Sequence, residues 1–111
     1  MGRYGGIDVG GTSIKYGIVL NGKVDSKESI YFAQDGRSLL PDLTKAIREL
    51  IDNNVNGIGI GFPGHTDAST QSFLGGPNLQ EEISVSEIMK KEGFENYKID
   101  NDGNVAALAE Y

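Results

Sequence analysis

The sequence predicts an α/β domain whose sheet mixes antiparallel and parallel strands. Three features lead to that fold class. Residues 4–32 alternate apolar and polar positions in three runs separated by Gly10-Gly11 and Asn21-Gly22, the pattern of an antiparallel meander. Leu39 or Leu40, Leu43, Ile47, Leu50 and Ile51 then recur at helical spacing. That helix runs almost directly into a second strand pattern at Gly57 to Phe62, a short connection that favours a parallel crossover.

In the first strand, Tyr4 to Val9, Ile7 and Val9 share a face and Asp8 points to the other. Thr12 to Leu20 places Ile14, Tyr16, Ile18 and Leu20 on one side. Asn21-Gly22 suits a type I′ turn, which returns Lys23 to Phe32 beside it. Pro41 belongs in the first turn of the following helix, and Asn53 and Asn54 end it. Gly57 to Phe62 alternates glycine with Ile58, Ile60 and Phe62, so one face of this strand has no side chains and admits a helix or a ligand close to the backbone. After Pro63-Gly64 about two dozen residues read as a long irregular loop, with a short hairpin around Ser72 to Leu74 and a break at Gly75-Gly76-Pro77. Ser84 to Glu87 forms a capping box for a short helix carrying Val85, Ile88 and Met89, closed by Gly93. Tyr97 to Asp100 is a last strand, Asn101 to Asn104 a turn, and Val105 to Tyr111 the start of an alanine-rich helix without a C-cap, which suggests that the natural chain continues.

Composition narrows the function. With 111 residues there is room for one domain, and with 16 glycines but only 3 prolines and no G-X-Y period, the glycines serve turns and close backbone approaches. The 10 basic and 16 acidic residues give a net charge of −6, which argues against a nucleic-acid partner and against adsorption to an anionic membrane. The chain has no cysteine, hence no disulfide framework and no thiolate metal site. It has no apolar stretch of signal or membrane-spanning length, and reads as a cytoplasmic protein.

Three constellations could carry chemistry. In Asp8-Val9-Gly10-Gly11-Thr12 a carboxylate ends a strand, two glycines turn, and a hydroxyl follows. Such a turn exposes backbone N–H groups and a hydroxyl to phosphates, while the carboxylate holds Mg²⁺ through waters. The same pentapeptide also fits an ordinary Gly-Gly hairpin with a solvated aspartate. Asp100-Asn101-Asp102-Gly103-Asn104 gathers two carboxylates and two amides at a strand end, where α/β sheets bind ligands and where a carboxylate can accept a hydroxyl proton. Taken alone, this segment reads more strongly as a turn and helix N-cap. Gly59 to Gly64 and Gly76-Pro77-Asn78-Leu79 could wall a small-molecule cleft, with Asn78 offering an amide to a polyol. His65, the one histidine, has no ligand partners near it in sequence and reads as a loop residue. Neither a G-x-S-x-G elbow nor a P-loop is present.

Order and spacing together outweigh the plainer readings. IDVGGTSIKYGIV at 7–19, IGIGFPG at 58–64, GGPNL at 75–79 and IDNDGNVAALAE at 99–110 resemble the N-terminal domain of the ROK family, the sugar kinases and related repressors of the actin/hexokinase/Hsp70 superfamily. The resemblance spans nearly the whole chain. It implies a ribonuclease-H-like (actin-like ATPase) domain with helices packed on a mixed sheet. It further implies ATP and Mg²⁺ as cofactors and Asp102 as the base that deprotonates a sugar hydroxyl attacking the γ-phosphate. Asn101, Asn78 and Gly64 would face the sugar; Asp8, Gly10, Gly11 and Thr12 would face the nucleotide phosphates, with Asp8 beside the metal. Gly103 departs from the alanine or other small residue usual in the family.

On this reading residues 1–111 are the N-terminal lobe of a sugar kinase, glucokinase-like in type, lacking the second lobe that completes the cleft and inactive alone. The expected partners are a small-molecule sugar and either the missing C-terminal lobe or a second copy across the exposed interdomain face. The repressors of the family carry an N-terminal DNA-binding helix-turn-helix, whereas this sequence enters its first strand within the opening residues, which favours the kinase class. The alternative is a non-enzymatic binding or assembly module, or a sugar-sensing regulator lobe, that keeps the fold.

Overall fold

The structure, a computed structural model, describes residues 2–10, 13–20, 23–31, 39–67, 69–75 and 82–100. Within them the chain runs β1 (Arg3–Val9), β2 (Ser13–Leu20), β3 (Lys23–Tyr31), α1 (Leu40–Asp52), β4 (Gly57–Gly61), β5 (His65–Asp67), β6 (Ser72–Gly75), β7 (Ile83–Ser84), α2 (Val85–Glu92) and β8 (Tyr97–Asp100). The Asn21-Gly22 turn, the Asn101–Asn104 turn and the helix expected at Val105–Tyr111 lie outside the described residues.

Five strands form one mixed sheet in the order β3-β2-β1-β4-β8. The meander is antiparallel, with β2 between β1 and β3. β4 joins β1 in parallel, and β8 joins β4 in parallel, as the helix-to-strand crossover predicts. The carboxyl ends of β1, β4 and β8 therefore open on one edge of the sheet. That edge is where ligands bind in open α/β sheets.

One face of the sheet carries the core. Ile7 and Val9 of β1, Ile14 and Tyr16 of β2, and Ile58 and Ile60 of β4 are buried in a single cluster with Leu43, Ile47 and Leu50 of α1 and Val85 and Met89 of α2. Both helices thus cover the face from which the β1 and β4 isoleucines project. Pro41 sits in the first turn of α1, where its missing N–H costs no hydrogen bond, and Asp42 adds a negative charge at that positive helix end. Asn53 closes the helix by donating its backbone N–H to Glu49 and Leu50 carbonyls at 3.2 and 3.1 Å. Burial of Leu43, Ile47 and Leu50 stabilises the layer by about 1.5–3 kcal/mol each relative to exposure. The Tyr16 hydroxyl donates to Glu49 and ties β2 to α1. Gly5 is what lets α1 approach β1 so closely: a Cβ there would lie 2.7 Å from Leu50 Cδ1.

The stretch after Gly64 differs from the irregular loop expected. It contains a second, three-stranded antiparallel sheet in the order β5-β6-β7. These strands have three, four and two residues, too few for periodicity to show, and their order comes from packing Phe73 and Ile83 onto the main core. His65 accordingly lies on β5, exposed, rather than in a loop. α2 begins at Ser84, whose hydroxyl accepts the Glu87 N–H at 3.3 Å, and ends at Gly93 with φ 71°, the left-handed cap.

Candidate active site at the carboxyl edge

Strand register decides which polar groups meet at this edge. Asp8 of β1 pairs with Gly61 of β4, and Gly61 pairs with Asp100 of β8. Across the hairpin Asp8 pairs with Lys15 of β2. Paired residues in adjacent strands project to the same side, so Lys15, Asp8, Gly61 and Asp100 form one row on the face opposite the isoleucine core. With strands about 4.8 Å apart, the Cα atoms of Asp8 and Asp100 are roughly 10 Å from each other. Gly61 lies between them and contributes no side chain. Asp8 and Asp100 are half-buried, whereas Lys15 is exposed.

The row behind repeats the pattern with Gly17, Gly6, Gly59 and Lys98. Glycines at 57, 59 and 61 thus keep this face of β4 free of side chains while Ile58 and Ile60 fill the core. A side-chain-free strip of this kind, bordered by carboxylates and lysines, offers backbone at close range to a polar ligand or a neighbouring element.

Two of the loops named from sequence can be followed partway. The Gly10 N–H donates to the Ser13 carbonyl at 2.8 Å, which closes the β1–β2 hairpin; a Cβ at Gly10 would come within 3.3 Å of that same oxygen. Gly10 therefore serves the turn itself, two residues from Asp8. Gly64 is half-buried, just past the carboxyl end of β4. Between them Phe62 donates its N–H to the Asp100 carbonyl at 2.9 Å and holds the ends of β4 and β8 together. Gly11, Thr12, Asn78, Asn101 and Asp102 lie outside the described residues. In sequence, Asn101 and Asp102 follow Asp100 directly.

Lys15 was missed by the sequence reading. The signal was present, since pairing about residues 11 and 12 places 15 opposite 8. Asp67 titrates below the ordinary carboxylate value: the Ser69 hydroxyl and backbone N–H both donate to its Oδ1, at 2.7 and 2.9 Å, and favour the ionised carboxylate. It lies on β5, outside the row. Among the described residues, no group of three or more His, Cys, Asp and Glu could hold a metal, and no helix is long and apolar enough to cross a membrane.

Comparison with known proteins agrees with this geometry. The ROK family profile matches residues 4–111. The chain is 35% identical to an N-acetyl-D-glucosamine kinase of Aliivibrio fischeri over 96% of its length, which is 37% of that protein. It is 30% identical to a glucokinase of Halalkalibacterium halodurans, again over 96% of its length and 36% of the relative. Among solved structures, a ROK family glucokinase from Streptomyces griseus in complex with glucose and AMPPNP superposes with a TM-score of 0.76 at 26% identity, covering 99% of this chain and 36% of that one. A ROK hexokinase from Thermus thermophilus gives 0.73 at 26% identity, covering 97% and 38%. The chain thus spans between a third and two-fifths of the length of these relatives, and its mixed α/β architecture is that of the actin-like sugar kinases it superposes on. With the glycine-lined strand, the Asp8 hairpin and a match from Tyr4 to the last residue all in agreement, the chain belongs to the ROK family.

Proposed function

We propose that residues 1–111 form the N-terminal lobe of an ATP-dependent sugar kinase, which transfers the γ-phosphate of ATP to a sugar hydroxyl once a second lobe completes the cleft. The observation that carries this reading is the register of the carboxyl edge. It sets Asp8 and Asp100 on one row across Gly61, and Asp100 leads directly into Asn101-Asp102. The names of the relatives, a glucokinase and an N-acetyl-D-glucosamine kinase, support a hexose or amino-hexose as substrate.

The residues fit a magnesium nucleotide. Mg²⁺ is ordinarily held by one or two carboxylates together with phosphates and waters, so Asp8 alone suffices on the protein side. Asp8 would hold the metal through waters, and the bound ion would supply neutralisation of phosphate charge. Lys15, opposite Asp8, adds a positive charge beside the same edge. Gly10 shapes the turn, and Gly11 and Thr12 supply N–H groups and a hydroxyl suited to phosphate oxygens.

In the reaction Asp102 accepts the proton of the sugar hydroxyl as its oxygen bonds to the γ-phosphorus, and the bond from that phosphorus to the bridging oxygen breaks to release ADP. Asn101, Asn78 and Gly64 orient the sugar. Most of the rate gain comes from positioning and charge stabilisation, because phosphoryl transfer asks little covalent help of the protein.

The test is ADP release by the complete gene product with Mg-ATP and a panel of hexoses and N-acetylhexosamines. The proposal expects release with at least one sugar and none from residues 1–111 alone. Absence of sugar-dependent release across the panel would instead favour a non-enzymatic sugar-binding or assembly role.

A further inference from the structure

The aromatic stack that joins the two sheets lies in the core, just past the carboxyl end of β4. Phe62 and Phe73 are both fully buried, with ring centroids 4.6 Å apart and planes 9° from parallel. Phe62 follows the last residue of β4 and precedes Pro63-Gly64. Its backbone N–H is bonded to the Asp100 carbonyl, so its main chain belongs to the large sheet and the end that carries the carboxylates. Phe73 is in the middle strand of the small sheet, paired on one side with Thr66 of β5 and on the other with Ile83 of β7. The Gln71 carbonyl, in the turn just before β6, accepts the N–H groups of Val85 and Ser86 at 3.0 and 3.3 Å, which fixes the start of α2 to that turn.

We infer that the Phe62–Phe73 stack is a positioning element. It ties the small sheet to the core face of the large sheet at the carboxyl end of β4, and so fixes the Gly64 turn that enters β5 beside that end. A stacked aromatic pair has a preferred relative geometry and is worth about 0.5–1.5 kcal/mol beyond the area it buries, which an aliphatic replacement does not reproduce. The chain between them is short: Pro63, Gly64, β5 and the turn into β6 are all that separates Phe62 from Phe73. A shift of the stack therefore moves the Gly64 turn against the edge of the large sheet. The inference rests on the proposed kinase reading for its effect on turnover, and on the packing alone for its mechanical part.

The experiment uses the complete gene product carrying Phe73→Leu, Phe62→Leu or, as a control, Leu50→Ala, which opens the same core at the opposite end of the sheet, beside Gly5. Misplacement of about 1 Å in a phosphoryl-transfer site can cost up to 100-fold. Both Phe variants are expected to raise the KM for sugar or lower kcat/KM for sugar by about 10–100-fold, with the KM for ATP within about twofold of wild type. Leu50→Ala should lower the melting temperature without that split. Equal effects on both substrates, or the same split in Leu50→Ala, overturn the inference. Amide hydrogen exchange separates it from the kinase reading: Phe73→Leu should speed exchange over residues 65–75 and leave 3–9 unchanged. Localised exchange in a protein that phosphorylates no sugar would retain the mechanical link and reject the kinase; uniform or unchanged exchange rejects the link whatever the activity.

Discussion

Replacing Gly5 by alanine tests how β1, and so Asp8, is held. The added Cβ lies 2.7 Å from Leu50 Cδ1 and 3.1 and 3.2 Å from Cδ2 and Cγ, inside the ~3.5–4.0 Å at which carbon atoms normally rest. Leu50 is only 1% exposed and has little room to turn away. Overpacking of this kind costs about 1–3 kcal/mol, offset by the ~0.5–1 kcal/mol of backbone entropy that alanine saves over glycine in a strand. Gly5→Ala is therefore expected to destabilise the protein by up to about 2.5 kcal/mol. Leu50→Ala alone should cost about 2–5 kcal/mol through the cavity it leaves. Together the two changes remove the clash and part of the cavity, so the double variant should be less damaged than the sum by about 1–2 kcal/mol. Urea unfolding followed by circular dichroism measures all four corners of the cycle, with m-values checked for constancy. Additivity within about 0.5 kcal/mol would refute the close packing of α1 on β1 through Gly5.

Other expectations follow from single contacts. Ser84→Ala removes the hydroxyl that accepts the Glu87 N–H and should cost about 1 kcal/mol in thermal unfolding. Gly93→Ala has open space around the new Cβ but a φ of 71°, so a loss of about 1 kcal/mol should arise from the backbone alone, with Gly93→Asn milder than Gly93→Ala. Asp67 should titrate below its ordinary value of 3.8, and Ser69→Ala should move its midpoint upward in an NMR titration. Because its folded pKa is depressed, the stability it contributes is present above the ordinary carboxylate value and is lost as pH falls through the folded value. Asp8→Asn in the complete gene product should weaken the response of turnover to Mg²⁺ far more than the KM for sugar, and equal losses in both would remove Asp8 from the metal.

Much of the architecture was legible because its signals are local. Alternation placed Ile7 and Val9 on the core face and Asp8 on the other, and glycine at 57, 59 and 61 marked the bare face of β4 before any pairing was known. Ser84 and Gly93 carried their caps in their residue types. What could not be read lies in strands too short to show alternation and in which side chains meet across the core. The small sheet is made of strands of two to four residues whose pairing is fixed by Phe73 and Ile83 packing on a core built elsewhere. Phe62 was identifiable as an apolar strand-end residue, but its stack on Phe73 was not. Lys15 joined the Asp8 row only once the hairpin register was counted. Gly5 looked like one glycine among many until Leu50 was seen against it.

The most direct test of the kinase account is Asp102→Asn in the complete gene product, assayed for sugar-dependent ADP release and, separately, for sugar binding by calorimetry. A general base in phosphoryl transfer contributes typically 10²–10⁴-fold, so turnover should fall by at least that range while the sugar dissociation constant stays within about twofold. A variant that retains turnover near the wild-type rate would contradict the assignment of Asp102 as the base and, with it, the proposed mechanism.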